Sequence, residues 1–307
     1  MGKYSHTPVM LDECIAALNI RPDGIYIDGT AGLGGHSAAI AAALDSGKLY
    51  CFDKDAQALA LCRERLAPFG DKARFIHGDF RHMKGILGQI GVTEADGVLL
   101  DLGVSSLQLD KPERGFSFRF DAELDMRMNA QEGITAKDLV NTLPREELKR
   151  IFYEYGEEKF APKIATAIVN RRPVDTTARL AEIILSVIPS SSRGDDARHP
   201  ARRCFQALRM AVNDEIGAIR EGVGGAISLL RPQGRIAVLT FHSVEDREVK
   251  NIFAQAASGC ECPPSFPVCV CGKKPRITRQ TRKIPTERET EENPRSASAK
   301  LRWAEKL

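Results

Sequence analysis

The chain has 307 residues, of which 43% are hydrophobic and 28% are charged, and its formal net charge is +3. This composition excludes a disordered chain and fits one large α/β domain with a smaller satellite domain. The near balance of charge means that any affinity for nucleic acid must come from local patches. The longest apolar stretch, residues 38–44, is far below the ~18 residues of a membrane span, so we expect a cytoplasmic protein without membrane contact.

Residues 24–103 alternate short β-branched or aromatic runs with helical patterns, as in a doubly wound parallel sheet. The predicted strands are 25–28, 48–53, 74–77 and 97–101, and the predicted helices are 35–44, 56–66 and 80–90. The strands end in Asp28, Asp53, the turn 77–79 and Asp101. Ligands of such sheets lie over the carboxyl ends of the strands, so we expect these acids to meet in one crevice.

The alternation of strand and helix patterns stops after Ser106, where six prolines accompany helical stretches without a clear strand. We predict an α/β Rossmann-like core in two parts, 1–106 and 214–307, with an inserted helical domain over 107–213. The second part is expected to contain a helix over 212–230, a turn at 232–234, a strand over 235–240, an extended loop over 259–294 and a last strand over 299–304.

A glycine-rich loop, residues 28–37, joins the first predicted strand to the first predicted helix. Glycine permits positive φ and lets the backbone approach a ligand. From Gly32 the sequence reads G-x-G-G-H-S, which lacks the last glycine of a dinucleotide motif and the Gly-Lys-Ser/Thr of a triphosphate loop. Asp53 lies about 20 residues further on, where an acid binds ribose hydroxyls. The loop therefore favours an adenosyl ligand over a tight turn without a ligand.

The sequence resembles the ribosomal RNA small-subunit methyltransferase H family of MraW-like cytidine N4-methyltransferases. The similarity spans nearly the whole chain in order. The matching segments are His6-Thr7-Pro8-Val9-Met10, the loop 28–37, residues 101–110, Arg114-Gly115-Phe116-Ser117-Phe118, Leu124-Asp125-Met126-Arg127-Met128, residues 205–209, Thr240-Phe241-His242-Ser243 and residues 292–296.

The resemblance implies S-adenosylmethionine as the cofactor and a cytidine of 16S ribosomal RNA as the substrate, in the assembled small subunit near the decoding site. It also implies the inserted helical domain, and the sequence leaves a homodimer open. The cofactor contacts that it implies are Gly34, Gly35, His36, Asp53, Phe80, Asp101 and Gln108. Phe80, taken alone, would more often be a core residue.

Asp101 is the first candidate to orient the cytosine amine and accept its proton. Amino-methyltransferases commonly have Asp/Asn-Pro-Pro-aromatic at this place, but here Leu102-Gly103-Val104 follows, and contact with the cofactor is the favoured role. His242 and Ser243 are further catalytic candidates at a strand end. Ser243 is equally well explained as the N-cap of the next helix.

Two features suggest contacts with RNA. Phe116, Phe118 and Phe120 alternate with polar residues and would line a base pocket or a small core. Basic residues cluster in the insert and again over 273–283, a segment with six basic residues and no acidic one, where we expect phosphate contacts. The clusters of the insert are Arg171-Arg172, Arg193, Arg198 and Arg202-Arg203.

The eight cysteines form two groups. Cys14, Cys51, Cys62 and Cys204 are isolated in apolar or helical patterns, so we expect reduced core residues. The other four form two C-x-C pairs, Cys260/Cys262 and Cys269/Cys271. Four thiolates would suit zinc, but C-x-C is tighter than the usual C-x₂-C, so the sequence alone assigns no metal.

Other classes of function are also considered. A nicotinamide-dependent dehydrogenase is disfavoured by the missing third glycine, and a non-catalytic RNA-binding module by the acids at the strand ends. A methyltransferase that acts on another RNA or on a small molecule is a closer alternative, opposed by the basic segments and the family resemblance.

Overall fold

The computed structural model describes residues 8–189, 199–258, 260, 262–263 and 265–307. The chain forms two compact units, one from the residues up to Gly103 together with Ile216–Leu307, and one from Val104–Glu215. The expected insert, 107–213, has its limits within a few residues of the second unit.

The first unit contains a seven-stranded sheet in the order β3-β2-β1-β4-β5-β7-β6. Neighbouring strands from β3 to β5 are parallel, and β7 is antiparallel to both β5 and β6. This is the predicted α/β Rossmann-like class. The strands are β1 Ile25–Asp28, β2 Lys48–Asp53, β3 Ala73–His77, β4 Ala95–Asp101, β5 Leu230–Thr240, β6 Thr281–Lys283 and β7 Lys300–Glu305.

Helices cover the sheet of this unit. Their bounds are α1 Leu11–Leu18, α2 Gly35–Ala43, α3 Ala56–Leu66, α4 Met83–Gln89, α11 Glu215–Leu229, α12 Ser243–Ser258 and α13 Glu287–Glu292. The centre of the sheet is β4, where Val98, Leu99 and Leu100 are fully buried. An uninterrupted apolar run of this kind is typical of a strand with both faces covered, as parallel sheets require.

The second unit is helical, as predicted. Its helices are α5 Ser106–Asp110, α6 Ala136–Thr142, α7 Arg145–Glu154, α8 Ala161–Asn170, α9 Thr177–Val187 and α10 Ala201–Val212. One apolar core joins them, and α7 contributes Leu148, Ile151 and Phe152 to it. The single β pairing found in the described part of this unit is an isolated bridge between Glu123 and Thr176.

Three predicted elements differ from the structure. The helix predicted over 212–230 is interrupted by Asn213, whose side-chain carbonyl accepts the Met128 N–H at 2.7 Å while its amide donates to the Met126 carbonyl at 2.8 Å. Asp214 then adopts a φ of 45°, so α10 and α11 are separate helices. The predicted turn 232–234 lies within β5, and the predicted loop 259–294 contains β6 and α13. The break at Asn213 and the length of β5 depend on long-range contacts that local patterns do not report. The helix α13 begins at a local signal that the prediction did not use, the Thr286 side chain that accepts the Glu289 N–H.

The four isolated cysteines are buried free thiols, which confirms their prediction as reduced core residues. Among the described residues, no helix combines the length and the apolar character that a bilayer span requires.

Candidate active site

The glycine-rich loop connects β1 to α2 at the carboxyl edge of the sheet. Gly32 and Gly34 have φ values of 52° and 78°, which side chains rarely adopt. A Cβ at Gly34 would lie 2.9 Å from Cys62 Sγ, and one at Gly35 would lie 2.4 Å from Pro8 Cγ. Packing inside the protein therefore demands glycine at both positions, in addition to any ligand.

Asp28 stabilises this loop from inside the protein. Its carboxylate accepts the Ser37 hydroxyl at 2.6 Å and the Thr30 N–H at 3.1 Å. The side chain is almost fully buried, and this burial raises its pKa although the hydrogen bond from Ser37 opposes the change. Asp28 is therefore turned away from the crevice in which we expected it, and its role is to hold the loop.

Asp53, at the end of β2, holds the other side of the loop. One carboxylate oxygen accepts the Gly32 N–H at 2.7 Å, and the other accepts the Asp55 N–H at 2.8 Å. Burial raises the pKa of Asp53 to about 6, against the effect of these two hydrogen bonds. Each oxygen keeps a second lone pair, so the carboxylate has the capacity to accept a hydroxyl as well.

His36 begins the first turn of α2 and is buried. Its Nε2 lies 3.0 Å from the Val9 carbonyl, so the neutral ring donates from Nε2 and presents the Nδ1 lone pair on its other side. Nδ1 lies 3.5 Å from Asp101 Oδ2. Burial lowers the pKa of His36, and the charge of Asp28 acts in the opposite direction.

Asp101 ends β4 beside this histidine. Its backbone N–H donates to the Thr30 hydroxyl at 2.6 Å. Within the described residues, its buried Oδ1 has no hydrogen-bond partner. Burial, together with the charge of Glu245, raises the pKa of Asp101 to about 7. A buried acceptor without a partner is costly in a finished structure, so Oδ1 is the atom from which a ligand contact is most expected.

Phe80 follows β3 and is largely buried. A Cβ added at Gly222 of α11 would lie 2.3 Å from Phe80 Cδ2, so the ring packs closely against that helix. Asp79 is occupied by ion pairs of 3.0 Å with Lys54 and 3.0 Å with Arg81. These ion pairs hold the end of β3. The close contact of the Phe80 ring with α11 supports a packing role for Phe80, beside the expected contact with the cofactor.

His242 and Ser243 lie where β5 meets α12. His242 Nε2 is 2.9 Å from Oε1 of the buried Glu245, whose other oxygen accepts the Phe241 N–H at 3.0 Å. The helix begins at Ser243 itself, and the Glu245 N–H lies 3.4 Å from His242 Nδ1. The capping position therefore belongs to His242, and the explanation of Ser243 as an N-cap is wrong. Both residues line a cleft whose far side is formed by residues 284–300.

In the helical unit, Gln108 is buried and caps its own helix. Its side-chain oxygen accepts the Ser105 N–H at 3.1 Å in a capping box at the start of α5. Phe116 is buried in the core of this unit, and Phe118 stacks on His199 with ring centroids 4.5 Å apart, while Phe120 is exposed. The three rings therefore lie in different surroundings. Rings that line one base pocket would instead face the same side.

The basic clusters of the insert differ among themselves. Arg172 donates to the backbone carbonyls of Val140 and Leu143, so it holds α6 to the rest of the unit and is a structural residue. Arg171 donates to the Ser186 hydroxyl and borders an open cleft with Arg145. Arg203 approaches the Glu157 carbonyl at 3.4 Å, while Arg193 and Arg198 lie outside the described residues.

The basic segment over 273–283 is largely exposed. Lys283 pairs with Glu13 at 3.3 Å. In the part of the chain that the structure describes, no acidic side chain pairs with Lys274, Arg276, Arg279 or Arg282. Positive charge without internal compensation is available there for phosphate groups.

Sequence reasoning missed three residues of this site: Val9, Thr30 and Glu245. Val9 acts through its backbone carbonyl, which no side-chain pattern reveals. Thr30 lies within the recognised loop, but its bond to Asp101 spans 71 positions. Glu245 would have been indicated by one signal, a carboxylate three residues after His242 in the first turn of a helix.

A mixed sheet with five neighbouring parallel strands, a glycine loop after β1 and acids at the ends of β2 and β4 defines a Rossmann-like S-adenosylmethionine-dependent methyltransferase. The MraW methylase family matches residues 3–307. The chain belongs to that family.

Two relatives show the extent of the similarity. The chain is 51% identical over 310 residues to "Ribosomal RNA small subunit methyltransferase H" of Carboxydothermus hydrogenoformans, and the alignment covers 99% of each protein. It is 48% identical over 311 residues to the protein of the same name from Heliobacterium modesticaldum, again with 99% of each covered. Among solved structures, an rRNA methylase from Streptococcus thermophilus aligns with 97% of this chain and 93% of its own at 13% identity, with a TM-score of 0.43.

Proposed function

We propose that this enzyme transfers a methyl group from S-adenosylmethionine to the N4 amine of a cytidine in small-subunit ribosomal RNA, in the cytoplasm. The similarity along the whole chain to proteins named as small-subunit rRNA methyltransferases supports the substrate. The observation that carries the proposal is the carboxyl edge of the sheet, where Asp53 orders the glycine loop and Asp101 keeps a buried oxygen without a partner among the described residues.

The residues proposed to hold the donor follow from this edge. Gly34 and Gly35 let the loop backbone lie close to the donor, and Asp53 accepts a ribose hydroxyl with its remaining lone pairs. His36 and Phe80 border the same edge from α2 and from the end of β3. Asp101 binds the donor near its methionine end, and Gln108 of the helical unit is proposed as a further contact on the strength of the family resemblance.

When bound, the donor supplies a methyl group already activated by its sulfonium. The protein's task is alignment, because holding the amine nitrogen, the methyl carbon and the sulfur in line supplies several kcal/mol of the barrier. The new C–N bond forms as the C–S bond breaks, and the amine then loses one proton. We propose that Asp101 orients the amine and accepts this proton, with His242 and Ser243 positioned beside the base at the end of β5.

The direct test is transfer of a labelled methyl group to small ribosomal subunits, followed by digestion to nucleosides. We expect the label in N4-methylcytidine, with at least a tenfold excess over subunits incubated with an Asp101→Ala variant. Label in another nucleoside would overturn the assigned acceptor atom. Label confined to a small molecule in a cell extract would overturn the RNA substrate.

Replacement of Asp53 by alanine is expected to weaken binding of S-adenosylmethionine by about 1–3 kcal/mol, because a buried acceptor and a support of the loop are lost together. Isothermal calorimetry measures this change. The matched control is Asp71→Ala, since Asp71 is an exposed carboxylate near the start of β3 that pairs only with Arg74 in the described structure. Unchanged affinity in a folded Asp53→Ala protein would refute the role given to Asp53.

A further inference from the structure

The four cysteines of the two C-x-C pairs meet in space. Cys269 Sγ lies 3.5 Å from Cys260 Sγ, 4.0 Å from Cys262 Sγ and 3.5 Å from Cys271 Sγ, and Cys260 and Cys271 are 3.9 Å apart. All four sulfur atoms lie within 4.8 Å of one another. The chain therefore gathers two pairs that are separated by a Pro-containing loop into one cluster.

These distances match the edges of a tetrahedron around one metal ion. Zinc binds thiolate sulfur at about 2.3 Å, and a tetrahedron with that bond length has edges of about 3.8 Å. A disulfide would need a sulfur separation of about 2.0 Å, and two disulfides would divide the four sulfurs into pairs. The close C-x-C spacing does not prevent the arrangement, because Cys269 and Cys271 reach the same separation as Cys269 and Cys260.

The surroundings also suit a metal thiolate. The Val270 N–H donates to Cys262 Sγ at 3.4 Å, a contact that stabilises negative charge on sulfur and orients a ligand. Cys260 and Cys269 are exposed and the other two are half-buried, so an ion has access from solvent.

The loop that carries the cysteines has little other support. It leaves the end of α12 and rejoins the core at the buried Ile277. Its large apolar residues are more than half exposed: Phe266, Val268 and Val270. A segment that buries so little apolar surface needs another source of folding free energy, which a metal ion with four protein ligands supplies.

We propose that this chain carries a structural zinc site whose ligands are Cys260, Cys262, Cys269 and Cys271. Four protein ligands leave no open position for water or substrate, so the ion orders the loop and takes no part in methyl transfer. Each thiol gives up its proton as the metal binds. The site fixes the start of the basic segment, whose Lys274 and Arg276 follow the last ligand within five positions.

The first experiment is elemental analysis of the full-length protein, purified under reducing conditions without chelator. We expect about one zinc per chain, falling at least tenfold in a Cys260→Ser/Cys271→Ser variant. Cys204→Ala is the matched control, because it removes a buried thiol of α10 that lies outside the cluster, and it should keep its zinc. Zinc below one tenth of an equivalent in fresh wild-type protein would overturn the proposal, as would iron in its place.

A second measurement keeps the test valid if the double variant fails to fold. Wild-type protein stripped of metal is titrated with Co²⁺, and a tetrahedral thiolate site gives intense visible d–d and sulfur-to-cobalt charge-transfer bands that added Zn²⁺ removes. Chelation should also speed tryptic cleavage after Lys273 at least tenfold, since the loop loses its order, whereas the bond after Lys274 resists trypsin because Pro275 follows it. Absence of the cobalt bands, or recovery of the four cysteines as two disulfides from the native protein, would overturn the site.

Discussion

Asp101→Asn is expected to slow single-turnover methyl transfer by roughly 10²–10⁴-fold and at the same time to stabilise the protein above neutral pH. The loss of rate follows because the amide has the shape of the carboxylate but neither its charge nor its capacity to take a proton. Asp101→Ala should be about equally slow. Rapid quench with labelled donor and saturating small subunits measures the rate.

The gain in stability follows from the raised pKa of Asp101, which burial and Glu245 bring to about 7 from the ordinary aspartate value of 3.8. The folded state therefore keeps a proton that the unfolded state releases between these values. This contribution to stability is full below about pH 4 and is lost as the pH rises through about 7. At about pH 8 the ionised carboxylate destabilises the folded state, and the asparagine variant should be more stable by on the order of 2–4 kcal/mol.

Denaturant unfolding at several pH values, beside the exposed control Asp23→Asn, tests this account. The wild-type transfer rate should rise with pH through about 7 and the Asn variant should lack that rise, because only the ionised carboxylate accepts the proton. A variant that retains most of the wild-type rate would show that Asp101 serves geometry alone. Equal stability of both proteins at every pH would contradict the raised pKa.

The second large effect concerns the substrate. We expect methyl transfer to assembled small subunits to exceed transfer to protein-free RNA of the same sequence, and to fall steeply with salt. A pocket for a single splayed cytidine needs only stacking and a few edge contacts. A helical unit of about a hundred further residues and a basic segment each offer the substrate additional contacts. Phosphate contacts release counterions, so each one steepens the dependence of binding on salt.

The triple variant Lys274→Ala/Arg276→Ala/Arg279→Ala should weaken binding to small subunits by about 100-fold near 0.1 M salt and reduce the salt slope by about three. These side chains are exposed, and in the described structure no acid neutralises them. Affinity for S-adenosylmethionine should be unchanged. Fluorescence anisotropy or filter binding across a salt series measures both quantities.

The control variant is Lys149→Ala/Arg150→Ala/Arg179→Ala, which removes the same charge from side chains that already pair with glutamates on α7 and α9. It should leave the salt slope nearly unaltered. Equal transfer rates on subunits and on free RNA would sink the docking proposal, while the methyltransferase assignment would stand. Equal loss in both triple variants would show that net charge alone matters.

Several parts of this protein were predictable because local physics determines them. The strands β1 and β2 begin and end where predicted, since β-branched and aromatic runs there stop at glycine and aspartate. The α3 helix agrees in the same way. The glycine loop and the acid after β2 were recognised from spacing alone, and the family resemblance rests on segments that are continuous in sequence.

Other features were decided only by the tertiary structure. Asp28 and Asp53 both end a predicted strand, so the sequence does not distinguish them. In the structure Asp28 points into the protein and accepts the Ser37 hydroxyl, whereas Asp53 accepts the Gly32 N–H of the glycine-rich loop. Phe116, Phe118 and Phe120 alternate with polar residues, as residues on one face of a strand do. In the structure Phe116 is buried in the core of the helical unit, Phe118 is partly buried against that core and stacks on His199, and Phe120 is exposed.

The sequence by itself determined the class of sheet, the bounds of β1 and β2, the glycine-rich loop and the family. The tertiary structure decided that the Val9 carbonyl sets the tautomer of His36, that Thr30 holds Asp101, and that four cysteines from two separate pairs form one cluster. The physical reason is the sequence separation over which each kind of interaction acts. Propensity and periodicity act over a few residues, whereas buried polar atoms take their partners from whichever elements packing places within about 3 Å, however far apart those elements lie in the chain.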